Sequence, residues 1–275
     1  MAGTQIEYDR PIKIAETVYW TGFFDSYADL RCNPYLIVDG DEAVVIDAGS
    51  RPDFPTVMMS ILRTGIGPSA IVALVFQHYD PDVCGGIPNF EDIIGRPDLK
   101  IISDRNSNRF IQHYHVKTAL LSLEEVDYQF RFSSGRTLRF VETPYAHTPQ
   151  GFITMDDASG VLFSSDLFGS SAHADGLFLE LDDCCLSCWA PIAACPSGKE
   201  QCPLYGIVSF HRTVMPSGKA LRFAMSKLLQ LPFGKVAPQH GCVIGRRADA
   251  EHVARVLSAL DRVGIDGIEE ARRIA

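Results

Sequence analysis

The chain has no run of about 18 apolar residues, so nothing in it reads as a membrane-spanning helix. It has no block of basic residues either. Its formal charge is -9, with both signs interspersed, which argues against nucleic acid and anionic membrane as partners. The first residues, MAGTQIEYDRPIKIAE, lack the apolar core of a signal peptide, and a cytoplasmic location is expected. There is no internal repeat and no linker. Disulfides are rare in a reducing compartment, so the eight cysteines call for another explanation.

What is present describes a folded catalyst or binder. Hydrophobic residues make up 46% and charged residues 21% of 275 positions, as in soluble globular chains able to bury a substantial core. Residues 33–47, NPYLIVDGDEAVVID, read as a hairpin around an Asp-Gly-Asp turn. Phe54, Val57, Met58, Ile61 and Leu62 recur with helical spacing over 53–65. Ile71–Phe76 is a continuous apolar run of the kind that forms a buried strand. Short helices are expected at 86–94 and 104–114, and strands at 137–142, 151–155 and 161–165. A helix over 217–231 carries Leu221, Met225, Leu228 and Leu229 on one face; a strand at 235–238 and a helix over 247–263 follow. This order predicts α/β (α+β) layers in a single domain over 1–275. The compositional break at 183–203 reads as a Cys-rich insertion within it.

Six residues stand where such a scaffold places functional groups. His78, Asp80 and Asp82 alternate directly after the buried run, and alternation on an extended segment would aim them the same way. Pro81 would stiffen that loop. His147, Asp166 and His240 each follow a short apolar strand and precede Gly or Pro within a few residues. A single His or Asp at a strand end is ordinarily a cap or a turn former, and Asp47 in VVIDAG reads that way. Six in this order read as a set of nitrogen and oxygen metal ligands.

The series HxDxD, His, Asp and QHG resembles the metallo-β-lactamase superfamily. Within it, the chain is most similar to flavodiiron proteins and their short relatives, the oxygen-binding diiron proteins. That branch has H-x-E-x-D in the first motif, and Asp80 takes the carboxylate position. The segment 164–178 resembles the branch's D-x-FG loop, and the similarity spans roughly residues 15–250. The resemblance implies an αββα sandwich and a head-to-tail homodimer. It implies one iron on His78, Asp80 and His147, a second on Asp82 and His240, and Asp166 bridging them. Val83 stands where many members have a His, which would leave the second iron an open position. Three carboxylates and three imidazoles favour iron over the zinc of the related hydrolases, although affinity alone does not separate the two. No flavodoxin segment follows residue 260, so no FMN site is expected.

The expected function is therefore a redox protein that binds or reduces O2 (or NO), or an oxygen sensor signalling to a partner. A zinc-dependent thioesterase, phosphodiesterase or lactonase is the alternative. Cys184, Cys185, Cys188, Cys195 and Cys202 fall within nineteen residues. Cys184, Cys188, Cys195 and Cys202 would fit a [4Fe–4S] cluster or tetrahedral zinc. The cluster is the first choice, because a diiron protein without FMN needs another electron route. Cys84 is read as packing. His113, His115, His211 and His252 are read as structural or surface, and His173 as a residue within reach of the metal pocket. Tyr79 and Tyr145 flank ligands, either as hydrogen-bond donors to bound oxygen or as packing groups. Phe168 is expected to keep the open position poor in water.

Overall fold

The computed structural model describes residues 10–25, 30–171, 176–187 and 202–268. The chain divides into two compact units, residues 1–141 with 154–159, and residues 142–153 with 160–275.

The first unit opens with β1 (Ile12–Ala15), β2 (Val18–Trp20), β3 (Phe23–Asp25), β4 (Leu30–Cys32), β5 (Tyr35–Asp39) and β6 (Glu42–Ile46). Helix α1 (Phe54–Arg63) and strand β7 (Ile71–Val75) follow. Then come α2 (Pro81–Cys84), α3 (Ile87–Ile94), β8 (Lys100–Ser103), α4 (Arg105–Ile111), β9 (Leu120–Ser122), β10 (Gln129–Arg131) and β11 (Thr137–Glu142). Seven strands form one sheet in the order β1-β2-β5-β6-β7-β8-β9. The expected hairpin is β5–β6, with Asp39 paired to Glu42 across a two-residue turn and Gly40 at φ +59°. Strand β7 lies between parallel neighbours, and all five of its residues are buried, which explains its unbroken apolar sequence. Helix α1 buries Val57, Met58 and Ile61, while α3 buries Ile87, Phe90 and Ile94 in the same apolar cluster. Leu62, expected on the buried face of α1, is 41% exposed.

Strand β12 (Phe152–Asp156) runs from the second unit's residues into the first's. At its end Asp156, fully buried, takes Nε of Arg136 at 3.0 Å and also its Nη2. Arg136 Nη1 donates to Thr17 and to the Val38 carbonyl, so one guanidinium ties three separate segments together.

The second unit holds β13 (Val161–Phe163), β14 (Phe178–Leu179), α5 (Asp183–Ser187), α6 (Tyr205–Val214), α7 (Gly218–Leu228), β15 (Lys235–Ala237), β16 (Val243–Ile244) and α8 (Arg247–Ser258). Strand β15 pairs in parallel with β13 and antiparallel with β16, and β16 pairs in parallel with β14. Ser217 caps α7 by accepting the Ala220 N–H. Leu221, Ala224, Met225 and Leu228 form its buried face, packed on α8. The last helix stops at Ser258 rather than 263. Beyond it, Gly264 has φ +53°, and its absent Cβ would fall 2.3 Å from the Met215 carbonyl. Main-chain bonds from Gly264 to Arg212 and from Ile265 to Pro216 hold the chain in that turn.

The first five residues of the Cys-rich segment form helix α5. Asp249, fully buried near the start of α8, secures the approach to it. Arg246 bridges Asp249 at 2.8 Å, and Asp249 also accepts the Leu181 N–H. Among the described residues, no helix is long and apolar enough to cross a membrane.

Candidate metal centre

In the first unit the motif after β7 is not extended, as the alternation had suggested. The chain turns into α2 at once. Asp80 is the N-cap residue, with φ -69° and ψ 154°, Pro81 is the first helical residue, and Asp82 lies in the first turn. The physical reason is Pro81, whose fixed φ starts a helix well. Helix geometry still gathers the three groups: one ligand atom each from His78, Asp80 and Asp82 lies within 4.8 Å of the others. His78 Nε2 is 3.9 Å from Asp80 Oδ2. The Asp80 side chain makes no capping bond, so its carboxylate is not committed to the helix.

Main-chain contacts hold this motif. Ala48 N–H donates to the Val83 carbonyl, and Gly86 N–H to Gly49, both at 3.0 Å. A Cβ on Gly85 would lie 2.6 Å from the Pro81 carbonyl, and one on Gly86 3.1 Å from that of Gly49. Asp47, buried and left-handed at φ +53°, accepts the Gln77 N–H at 3.1 Å, the turn role read from its sequence. Tyr114 donates its hydroxyl to the Tyr79 carbonyl, and the Tyr79 ring stacks on Phe110 at 4.5 Å. Cys84 packs in the core, its thiol on the His78 carbonyl. Burial and the charges of Asp47, Asp82 and Asp80 hold that thiol far above its usual range. Val83 is fully buried in the same apolar cluster.

The second unit holds the three other candidate ligands. His147 sits in a tight loop closed by Thr143 N–H to Gly151 and Ala146 N–H to Thr143. It is itself left-handed, at φ +77°. Its Nδ1 lies 3.4 Å from the Val214 carbonyl, which can only accept. Nδ1 therefore carries the proton, and Nε2 keeps its lone pair for a ligand. Asp166 follows β13 and is 3% exposed. Nε2 of His147 is 3.6 Å from Asp166 Oδ2, and Nε2 of His240 is 3.8 Å from Asp166 Oδ1. Tyr145 is exposed, and His173 lies outside the described residues.

Two residues not among the candidate ligands shape this loop, His211, read from sequence as structural or surface, and Phe210. His211 is fully buried, and burial pushes its pKa down to about 4, against the opposing pull of the Ile207 carbonyl and Asp166. Its Nδ1 faces the Ile207 carbonyl at 2.7 Å, and its Nε2 accepts the Phe168 N–H at 3.1 Å. Phe210 approaches Gly169 so closely that a Cβ there would lie 2.7 Å from the ring; the same ring is 5.9 Å from that of His240. Glycine in the D-x-FG segment is thus required by the Phe210 ring and by the Asp166 carbonyl, 2.8 Å from such a Cβ. Of the left-handed residues other than glycine, Tyr145, His147, Ser165 and Phe168 fall in these two loops. Each such conformation costs about 1–3 kcal/mol, a strain that concentrates at functional sites.

The fit to a metal turns on Asp166. Its Oδ1 is buried and has no hydrogen-bond partner among the described residues. A buried carboxylate oxygen without a partner is costly. The imidazole nitrogens at 3.6 and 3.8 Å are too distant for hydrogen bonds. They are at the separation that ligands about 2.1 Å from a common ion keep. The donor set suits a hard or borderline ion.

The fold is of the metallo-β-lactamase type. The apo chemotaxis sensor ODP from T. denticola matches with TM-score 0.73 at 23% identity, over 95% of this chain and 97% of that one. The flavodiiron protein from Giardia intestinalis matches with TM-score 0.74 at 17% identity, over 91% of this chain and 59% of that one. Residues 30–241 match the family described as ODP family beta lactamase, and the chain belongs to that family. The anaerobic nitric oxide reductase flavorubredoxin of Enterobacter sp. (strain 638) is 26% identical over 84% of this chain and 47% of its own length. The coenzyme F420H(2) oxidase of Methanothermobacter marburgensis is 28% identical over 57% of this chain and 41% of its own. The chain spans less than half the length of these curated relatives.

Proposed function

We propose that the chain is a diiron protein that binds or reduces O2 (or NO), with residues 1–275 acting as one domain. In this reading one iron takes His78, Asp80 and His147, the second takes Asp82 and His240, and Asp166 bridges them. The observation that carries it is the buried Asp166 carboxylate: its Oδ1, with no hydrogen-bond partner among the described residues, lies 3.8 Å from His240 Nε2, and its Oδ2 lies 3.6 Å from His147 Nε2. Family membership supplies the ligand order. The relatives' names point the same way, an oxidase, a nitric oxide reductase and a chemotaxis sensor.

Iron would supply a redox pair with open positions for a small gas. The chain's own part is narrower. Val214 fixes the His147 tautomer, His211 and Phe210 hold the Asp166 loop, and Gln77 and Asp47 anchor the strand end before His78.

The [4Fe–4S] cluster on Cys184, Cys188, Cys195 and Cys202 belongs to the same proposal, with zinc as the competing occupant. Cys188 and Cys195 lie outside the described residues. Support comes from the spacing of the four cysteines. A homodimer, a cytoplasmic location and an electron donor or signalling partner complete the reading.

Metal analysis with rapid mixing tests it. Two irons per chain and a spectral change on adding O2 or NO to reduced protein are expected. Zinc-loaded protein that ignores both gases and cleaves esters or phosphodiesters would replace this reading with the hydrolase one.

A further inference from the structure

We infer that Cys32 is a ligand to the metal that Asp82 holds. The inference rests on the diiron reading and adds a sulfur donor to a set so far built from nitrogen and oxygen. Cys32 Sγ lies within 4.8 Å of a carboxylate oxygen of Asp82. Ligands on opposite sides of one first-row ion, at ~2.1 Å for oxygen and ~2.3 Å for sulfur, stand about 4.4 Å apart. The pair therefore needs at most a small side-chain adjustment to share an ion.

Cys32 is 2% exposed, and burial alone would make it an ordinary small core residue beside Phe23 and Val83. What packing does not explain is a thiol set beside a charged carboxylate, on backbone fixed so closely. Cys32 ends β4, opposite Phe23. The absent Cβ of Gly22 would fall 2.2 Å from the Cys32 carbonyl, so only glycine lets the hairpin close. Trp20 Nε1 donates to the buried Asn33 side chain at 2.7 Å, and Thr21 donates twice to the Pro34 carbonyl.

The donor count gives the assignment its meaning. The first iron would have His78, Asp80, His147 and the shared Asp166. The second would have Asp82, His240 and the same Asp166, and Val83 offers nothing. Cys32 restores four protein ligands to each ion, leaving both below the six of an octahedral shell. Binding releases the thiol proton to solvent. A thiolate makes the second ion the more electron-rich of the two.

The test uses Co2+ alone as the probe. Full-length protein with Cys184, Cys188, Cys195 and Cys202 all changed to Ser is stripped of metal and reloaded. Two cobalt ions per chain, an intense sulfur-to-cobalt band in the near ultraviolet, and a sulfur neighbour at ~2.3 Å by X-ray absorption are expected. Adding Cys32→Ser should abolish the band and the sulfur neighbour, and weaken the second cobalt at least tenfold. Should that variant not fold, Cys32→Ala takes its place, and X-ray absorption on the parent without a sulfur neighbour is by itself enough to overturn the inference. Two bound cobalt ions with no sulfur neighbour, or a band that survives Cys32→Ser, would overturn the inference and leave the diiron reading standing. Failure of the His/Asp set to bind metal would end both.

Discussion

The Nε2 atom of His211 accepts the main-chain N–H of Phe168, two residues beyond Asp166, at 3.1 Å. A neutral imidazole buried in α6 thus fixes the backbone of the loop that carries the central carboxylate. His211→Leu leaves that N–H without a partner and should cost about 1–3 kcal/mol. His211→Gln, which keeps an acceptor, should lose less. Metal affinity should fall in the same order, read by competition with a chelator. Unchanged affinity in His211→Leu would show that the loop holds its shape alone.

The same ring sets a pH dependence. Its pKa is about 4 when folded and near 6.5 when unfolded, so the unfolded chain binds the extra proton between those values. The stabilisation is fully present above pH 6.5 and is lost as pH falls toward 4. The denaturation midpoint should therefore drop over this range, and the drop should be shallower in His211→Gln. Parallel profiles for the two proteins would contradict the assignment.

Asp166 should trade stability for metal. Asp166→Asn removes a buried charge whose Oδ1 has no hydrogen-bond partner among the described residues, so the metal-free variant should melt at or above the parent. It should also fail to retain two ions. Full occupancy in this variant would refute the bridging role.

Arg136 supplies a control inside the first unit. Arg136→Met strands the fully buried Asp156 and should cost about 3–5 kcal/mol by denaturant titration. Adding Asp156→Leu should recover much of that loss. The ratio of bound metal to folded protein should not change in either variant.

Much of the scaffold was legible in sequence. The uninterrupted apolar run at β7, the Asp-Gly turn at β5–β6 and the spacing in α1 and α7 are local patterns with local causes. The six candidate ligands stood out through their strand-end positions and order. Their geometry did not: alternation suggested an extended HxDxD segment, whereas Pro81 turns it into a helix. His211 was read as structural or surface, and it is structural, but its hold on Phe168, like the roles of Phe210 and Cys32, left no signal, because each acts on groups far away in the chain. A lone His, Phe or Cys in an apolar stretch reads as core until the fold brings its partner near.

The two glycines after Asp82 have a consequence for how this site tolerates change. They let main chain meet main chain, so the motif is clasped through Val83, Ala48, Gly86 and Gly49 by amide groups that every residue possesses. Asp80 and Asp82, both only partly buried, take no part in that clasp, whereas Pro81, Val83 and Cys84 hold the turn and the core beneath it. A change of donor at Asp80 or Asp82 can therefore leave the frame beneath in place. Variation in metal chemistry within such a frame is inexpensive to explore.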